Sequence, residues 1–212
     1  NDAGPQDSDL VIFDQPNQIA DTVQVQVTPS GHLNLNGFNE TIGNAAAAGL
    51  NLFTGPTTFP KISTGSGTLT LASGLGVTVA NATNLGTQII TSPGATITGN
   101  LALGGNTVFA VNDTGLNIRE LQLDATLTGA AGFQRSGAGI MMVSAANPGL
   151  SGAVTLNSGG GLVVANNGLG SGTVTVATNI TTALFATNYV GGVPVTQTIS
   201  NNIILNNAAA TA

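Results

Sequence analysis

Residues 137–176 read GAGIMMVSAANPGLSGAVTLNSGGGLVVANNGLGSGTVTV, and this pattern decides the fold. Short apolar runs at Ile140–Val143, Val154–Leu156, Leu162–Val164 and Val174–Val176 are separated by Gly, Asn and Ser-Gly. In Val154-Thr155-Leu156 and Val174-Thr175-Val176 apolar and small polar residues alternate. Alternation of period two marks a strand with one buried face, because successive side chains point to opposite sides. The Gly and Asn boundaries supply positive φ at little steric cost. The same signature extends outward to Val23–Val27, Leu33–Leu35, Leu69–Leu71, Val77–Val79 and Leu121–Leu123. Most strand centres lie roughly 8 to 13 residues apart, the spacing of all-β folds. The best helical candidate, Ala45–Ala48, is fenced by Gly43 and Gly49 into one turn. A lone helix needs roughly 12 residues or more. The reading is all-β.

Composition chooses among all-β architectures. The 212 residues include three Lys or Arg, nine Asp or Glu, one His and no Cys, for a net charge of −6. Charged residues make up 6%, against roughly 25% in an ordinary soluble domain. Three cations give no basic face that would release counterions from a phosphate backbone, which excludes a nucleic-acid partner. An apolar content of 42% and a mean hydropathy of +0.31 oppose disorder. No run of about 18 apolar residues occurs, so no helix is expected to insert in a membrane. Without Cys, neither disulfides nor thiolate metal sites hold the fold, a pattern that in an exported chain suggests a bacterial type.

Aromatics are only 4%, too few to fill the thick core of a sandwich or barrel, and the charges that blunt antiparallel edge strands are missing. A β-solenoid has other demands. It stacks like residue on like about 4.8 Å apart, where charges would repel while Thr, Asn, Val and Ala stack harmlessly. Composition therefore favours a solenoid. With coils of about 20 to 25 residues, the expectation is about nine coils and a rod of about 40 to 45 Å.

Residues 137–176 also resemble the autotransporter-associated β-strand repeat of bacterial autotransporter passenger domains and large exported surface proteins. The turn Gly137-Ala138-Gly139, the loop Ser151-Gly152 before a second strand, the step Gly159-Gly160-Gly161-Leu162 and the ending Gly168-Leu169-Gly170-Ser171-Gly172-Thr173-Val174 follow that family's pattern. Gly168 takes the place of the usual Ala, and Met141 and Val143 stand where two Leu are usual. Two further segments agree: Leu33-Asn34-Leu35-Asn36-Gly37-Phe38-Asn39-Glu40-Thr41-Ile42-Gly43 and Leu127-Thr128-Gly129-Ala130-Ala131-Gly132-Phe133. The resemblance implies a right-handed parallel β-helix, exported to the extracellular space or the bacterial cell surface. It implies a stalk, display scaffold or fibre subunit whose repeat has no shared catalytic site.

Residues 1–21 are expected to form an N-terminal cap or linker and residues 22–212 the β-helix segment. The first part holds Asp2, Asp7, Asp9, Asp14 and Asp21, the only candidate calcium site. Their spacing fits neither an EF-hand nor a calcium-loaded β-roll, so no metal ligand is assigned. His32 is read as an outward ladder or loop residue. A β-helical enzyme would need clustered charges on one face, and the available set is Asp113, Arg119, Glu120, Asp124 and Arg135. Arg119 and Glu120 should face opposite ways, with Glu120, Gln122 and Asp124 lining one outward face. Gly65-Ser66-Gly67, Gly74-Leu75-Gly76 and Gly137-Ala138-Gly139 read as turns rather than phosphate loops, since no helix or Lys-Ser/Thr follows them. Glycosylation-type triplets at Asn39, Asn81, Asn112 and Asn179 are expected by chance in so Asn- and Thr-rich a chain.

The expected function is a non-catalytic extracellular structural or adhesive β-helix segment, with no catalytic or cofactor-binding residue and no cofactor. Its partners would be neighbouring coils, further copies of itself, or a host protein or glycan. Two alternatives are a β-helical carbohydrate-active enzyme and a self-assembling filament subunit. The start, Asn1-Asp2-Ala3-Gly4-Pro5, lacks the basic start and apolar run of a signal peptide. The chain is therefore expected to be a processed or excerpted part of something longer. All charged residues lie at or before Arg135, which suggests an acidic N-terminal portion that recognises and a neutral C-terminal portion that supports.

Overall fold

The computed structural model describes residues 4–43, 49–82, 94–115, 118–178, 180–186, 188–190, 193–195 and 197–206. Among them there is no helix, and therefore none long and apolar enough to cross a membrane. The candidate turn at Ala45–Ala48 lies outside the described residues, as do Asp2 and Asn179.

The alternating segments become strands. The first part of the chain forms β1 (Asp9–Ile12), β2 (Val25–Val27), β3 (Gly31–Asn34), β4 (Glu40–Ile42), β5 (Gly49–Thr54), β6 (Lys61–Leu71) and β7 (Gly76–Asn81). Next come β8 (Ala95–Leu103), β9 (Thr107–Val111), β10 (Leu121–Thr128), β11 (Phe133–Ser136), β12 (Ile140–Val143) and β13 (Val154–Leu156). The last are β14 (Gly161–Val164), β15 (Val174–Val176), β16 (Ala183–Ala186), β17 (Asn188–Val190), β18 (Val193–Val195) and β19 (Ile203–Leu205).

Two sheets of parallel strands result. One runs β1-β3-β6-β8-β10-β12-β14-β16, with β4 also on β6; the other runs β2-β5-β7-β9-β11-β13-β15-β19. Successive strands along the chain alternate almost strictly between the sheets, so each circuit adds a strand to both. This arrangement is consistent with a β-solenoid. A short antiparallel pair, β17 with β18, is the one departure among the described strands.

Register explains the interior. Leu33, Ile62, Ile97, Leu123, Val143 and Val164 stand opposite one another on six successive strands of the first sheet. All are buried. In the second sheet the corresponding row is Leu50, Val77, Phe109, Arg135 and Leu156. Each fully covered aliphatic contributes about 1.5 to 3 kcal/mol, so small side chains build a continuous narrow core. Phe109 and Phe133 meet edge to face within it at 5.5 Å.

The coils are not uniform. Lys61 pairs with Thr96 and Thr96 with Gln122, coils of 35 and 26 residues. Gln122 pairs with Met142, Met142 with Val163 and Gly161 with Ala183, coils of 20, 21 and 22 residues. Eight strands stack along the first sheet rather than the nine coils expected, because the N-terminal coils are longer than the assumed repeat. Seven steps of the ladder span about 34 Å. Gly65-Ser66-Gly67, expected as a turn, instead lies inside β6, where the register shifts between Ser63 and Thr68. At the other extreme of tightness, Gly132 has φ +71°, and a Cβ there would sit 1.9 Å from the Ala153 carbonyl oxygen of the next coil.

Candidate functional site

Strand parity sends two rows of side chains outward from the first sheet. One row is His32, Lys61, Thr96, Gln122 and Met142; the other is Asn34, Ser63, Thr98 and Asp124. All are partly exposed, in contrast to the fully covered residues between them. The described charges with chemistry to offer gather in two places on this face.

The first cluster joins the N-terminal segment to β3 and β6. The Lys61 ammonium donates to Asp7 Oδ2 at 2.8 Å, and Asp7 Oδ1 lies 3.8 Å from His32 Nδ1. His32 Nε2 and Ser63 Oγ are 2.8 Å apart. Gln6 anchors the segment from the other side. Its Nε2 donates to the Phe59 carbonyl at 2.9 Å, and its Oε1 accepts from the Phe59 amide at 3.0 Å. Burial pushes the His32 imidazole below its usual range, against the attraction of Asp7. Partial burial works to raise the Asp7 carboxyl, but hydrogen bonds from Lys61 and Gln6, with the Lys61 charge, hold it lower.

The second cluster lies on β10 and β12. Gln122 Nε2 donates to Asp124 Oδ2 at 2.7 Å, and the Ser144 hydroxyl donates to the other Asp124 oxygen. Arg119 reaches over Met142, with Nη1 3.0 Å from its sulfur. These polar groups are engaged by neighbours on the same or an adjacent coil.

Glu120 corrects the sequence reading. It was expected to line the outward face with Gln122 and Asp124, but it is 2% exposed. β10 begins only at Leu121, so strand parity does not extend back to Glu120. Its carboxylate accepts the Ile140 amide at 2.5 Å. Arg135, counted among the groove candidates, is fully buried in the interior row of the second sheet. Its guanidinium donates to the carbonyls of Gly139, Gly159 and Ser158. The two charges thus hold one peptide unit between them: Glu120 takes the N–H of residue 140 and Arg135 the C=O of residue 139. Burial raises the Glu120 carboxyl despite its backbone hydrogen bonds. Burial likewise lowers the Arg135 guanidinium, opposed by the Glu120 charge. These residues brace the turn before β12 and cannot bind a solvent-borne ligand.

Two other buried polar residues act as braces. Asn147 accepts the Leu127 amide and donates to the Gly168 carbonyl, both at 2.6 Å, and so ties three successive coils. Glu40 accepts the amides of Gln18 and Ile19 at 2.8 and 3.0 Å, which docks the N-terminal segment. The described N-terminal carboxylates do not converge. Asp7 is taken by Lys61 and Asp9 accepts the Ser30 hydroxyl at 2.5 Å. Among the described residues no group of three potential ligands could hold a metal ion.

Sequence reasoning missed the grouping of Asp7, His32 and Ser63. They are 25 and 31 residues apart, and only the register of the irregular N-terminal coils brings them together. A periodic signal would have found them only with a constant coil length. No protein-family model matches the chain, and no similar curated protein or solved structure was found.

Proposed function

We propose that this chain is a structural or adhesive segment of an exported bacterial surface protein, a right-handed parallel β-helix of the autotransporter-associated repeat type. The observation that carries the reading is the run of 20- to 22-residue coils over residues 121–186. There Gly137–Gly139 and Gly159–Gly161 recur at the same corner, one coil apart. Right-handedness follows from the strong preference of parallel crossover connections for that hand. The later coils suit a spacer, since no charged residue follows Arg135 and Thr155 stacks beside Thr175 with no charge to repel a neighbour. In this reading the acidic N-terminal portion carries recognition of a host protein or glycan.

The test has two parts. Surface labelling of intact source cells should reach the protein, and an intracellular location overturns the export reading. A crystal structure should give a right-handed coil, and a left-handed one overturns the repeat assignment.

A specific observation favours the filament alternative as a second reading. Leu10, Val11 and Ile12 at one end of the stack, and Phe185, Ile203 and Leu205 at the other, are exposed apolar residues. Both ends also open into apolar grooves, of about 270 Å³ beside Val11, Val25 and Leu33 and about 570 Å³ beside Val176, Leu184 and Ile203. Unpaired parallel edges invite strand addition. Filaments that lengthen with protein concentration would support this reading, and a concentration-independent monomer would exclude it.

A further inference from the structure

We propose that Ser63 is a nucleophilic serine that accepts an acyl group from an activated carboxylic ester, with His32 as its general base and Asp7 as the positioning residue. This inference is independent of the export and filament readings. It describes stoichiometric covalent capture on the outer face of the first sheet, and it requires no turnover.

The geometry begins with the imidazole. Asp7 Oδ1, which accepts from Gln6 Nε2 at 3.0 Å, lies 3.8 Å from His32 Nδ1; this is no hydrogen bond, but the carboxylate's charge on that side favours the tautomer with the proton on Nδ1. The lone pair of Nε2 then points at Ser63 Oγ, 2.8 Å away and within reach for proton transfer. Lys61 keeps Asp7 ionised through its 2.8 Å contact and fixes where the carboxylate sits. Asp7 and Lys61 are the charged groups that face the imidazole. Burial disfavours the imidazolium, so His32 is available as a base near neutrality. A nucleophile with a base in hydrogen-bond reach, oriented by a third group, is the arrangement that activates hydroxyls generally.

Asn34 and Thr98 stand directly opposite Ser63 on either side, one ladder step away. Ser144, which directly follows β12, offers the control. Its hydroxyl meets a carboxylate, Asp124, and no imidazole.

In the proposed step Ser63 Oγ bonds to the acyl carbon while its proton passes to His32 Nε2. The tetrahedral intermediate collapses, the bond to the leaving oxygen breaks, and the alcohol or phenolate departs. The imidazolium then returns its proton to the leaving group or to solvent, and Ser63 remains as an ester.

The experiment exposes the folded protein to p-nitrophenyl acetate and maps acetylation by peptide mass spectrometry. One acetyl group is expected on Ser63, formed faster as pH rises through the imidazole titration. His32→Gln should slow it by roughly a hundredfold, with the circular dichroism spectrum unchanged. Ser63→Ala should abolish it, while Ser63→Cys, which keeps a nucleophile at the same place, should restore acyl uptake. Acetylation of Ser144, Thr98 or Lys61 at the rate of Ser63 would overturn the proposal, as would a Ser63 rate indifferent to His32→Gln.

Discussion

The coils over residues 121–186 repeat every 20 to 22 residues, whereas those between His32 and Gln122 take 26 to 35. Both regions pair their strands in the same two parallel sheets and bury the same kind of aliphatic row. Much of the difference lies in the strands themselves. β12 to β15 are three or four residues long, whereas β6 and β8 run to 11 and 9. Connection length does not separate the regions, since residues 72–75 join β6 to β7 and residues 144–153 join β12 to β13. What marks the compact coils is a corner where glycines of successive coils stack: a Cβ on Gly152 would meet the Gly132 nitrogen at 1.9 Å, and one on Gly172 the Gly152 carbonyl oxygen at 1.9 Å. A corner packed backbone on backbone has no room when something is inserted between it and its neighbour.

The largest effect follows directly. Gly132→Ala would press a Cβ to 1.9 Å from the Ala153 carbonyl oxygen and also hold an L residue at φ +71°. Backbone must shift at a corner where glycines of adjacent coils stack on one another, so a loss of more than about 4 kcal/mol is expected. Gly74, in the looser region, has a similar φ of +79° but nothing within 4 Å of the point where a Cβ would stand. Gly74→Ala should therefore cost only the left-handed strain, about 1 to 2 kcal/mol. Equal costs in chemical denaturation would break the comparison.

Next in size is the buried charge at the join of the two regions. Arg135→Ala removes three donated hydrogen bonds and strands Glu120 without the cation that attracts it, for an expected cost of about 3 to 5 kcal/mol. Adding Glu120→Gln to Arg135→Ala should recover part of that loss, because the amide has no charge to desolvate. If the double variant is the sum of the singles, the two side chains do not share the 139–140 peptide in the way their contacts indicate.

These residues also mark how far the sequence could be read. Strand positions were legible in part in both regions, since alternation and Gly boundaries are local signals, but β5, β8, β9 and β11 were not singled out. The coil length was legible only where short strands of near-constant length let like segments recur, between Gly137–Gly139 and Gly159–Gly161. In the long coils the offset between paired strands changes from one circuit to the next, so His32, Ser63 and Asp7 gave no hint of meeting. Arg135 was misplaced for another reason. It follows the apolar alternation of β11 on its inward side, and only a three-dimensional set of free carbonyls explains a cation there. Glu120 was misplaced because parity was extended one residue past the strand.

Asn147 gives a smaller test of the same contrast. Asn147→Ala leaves the Leu127 amide and the Gly168 carbonyl buried without their partner, an expected cost of about 2 to 4 kcal/mol. Asn100 makes a comparable tie in the looser region, donating to the Gly67 carbonyl at 2.9 Å, but its side chain is partly exposed. Water can replace that bond, so Asn100→Ala should cost about 1 kcal/mol or less. Thermal or denaturant midpoints of the two variants decide it.

The smallest effect is the response to acid, and the two regions should respond with opposite sign. His32 has a folded-state pKa below its unfolded value, so the folded state disfavours its charged form. Its neutral state stabilises above the unfolded pKa, and that contribution is lost as pH falls through the unfolded value near 6.5. Asp7, also lowered, adds stability that disappears at still lower pH, once its carboxyl protonates and releases Lys61. Glu120 is raised instead. Its contribution is fully present below its unfolded pKa and is lost as pH rises through the folded one. Acidification should therefore weaken the fold through His32 below about pH 6.5, while protonation of Glu120 relieves the corner beneath Gly139. Denaturation curves across this range should flatten in one direction for His32→Gln and in the other for Glu120→Gln. Flattening of the same sign in both variants would show that the two sites titrate as one region and that the division between loose and compact coils has no energetic counterpart.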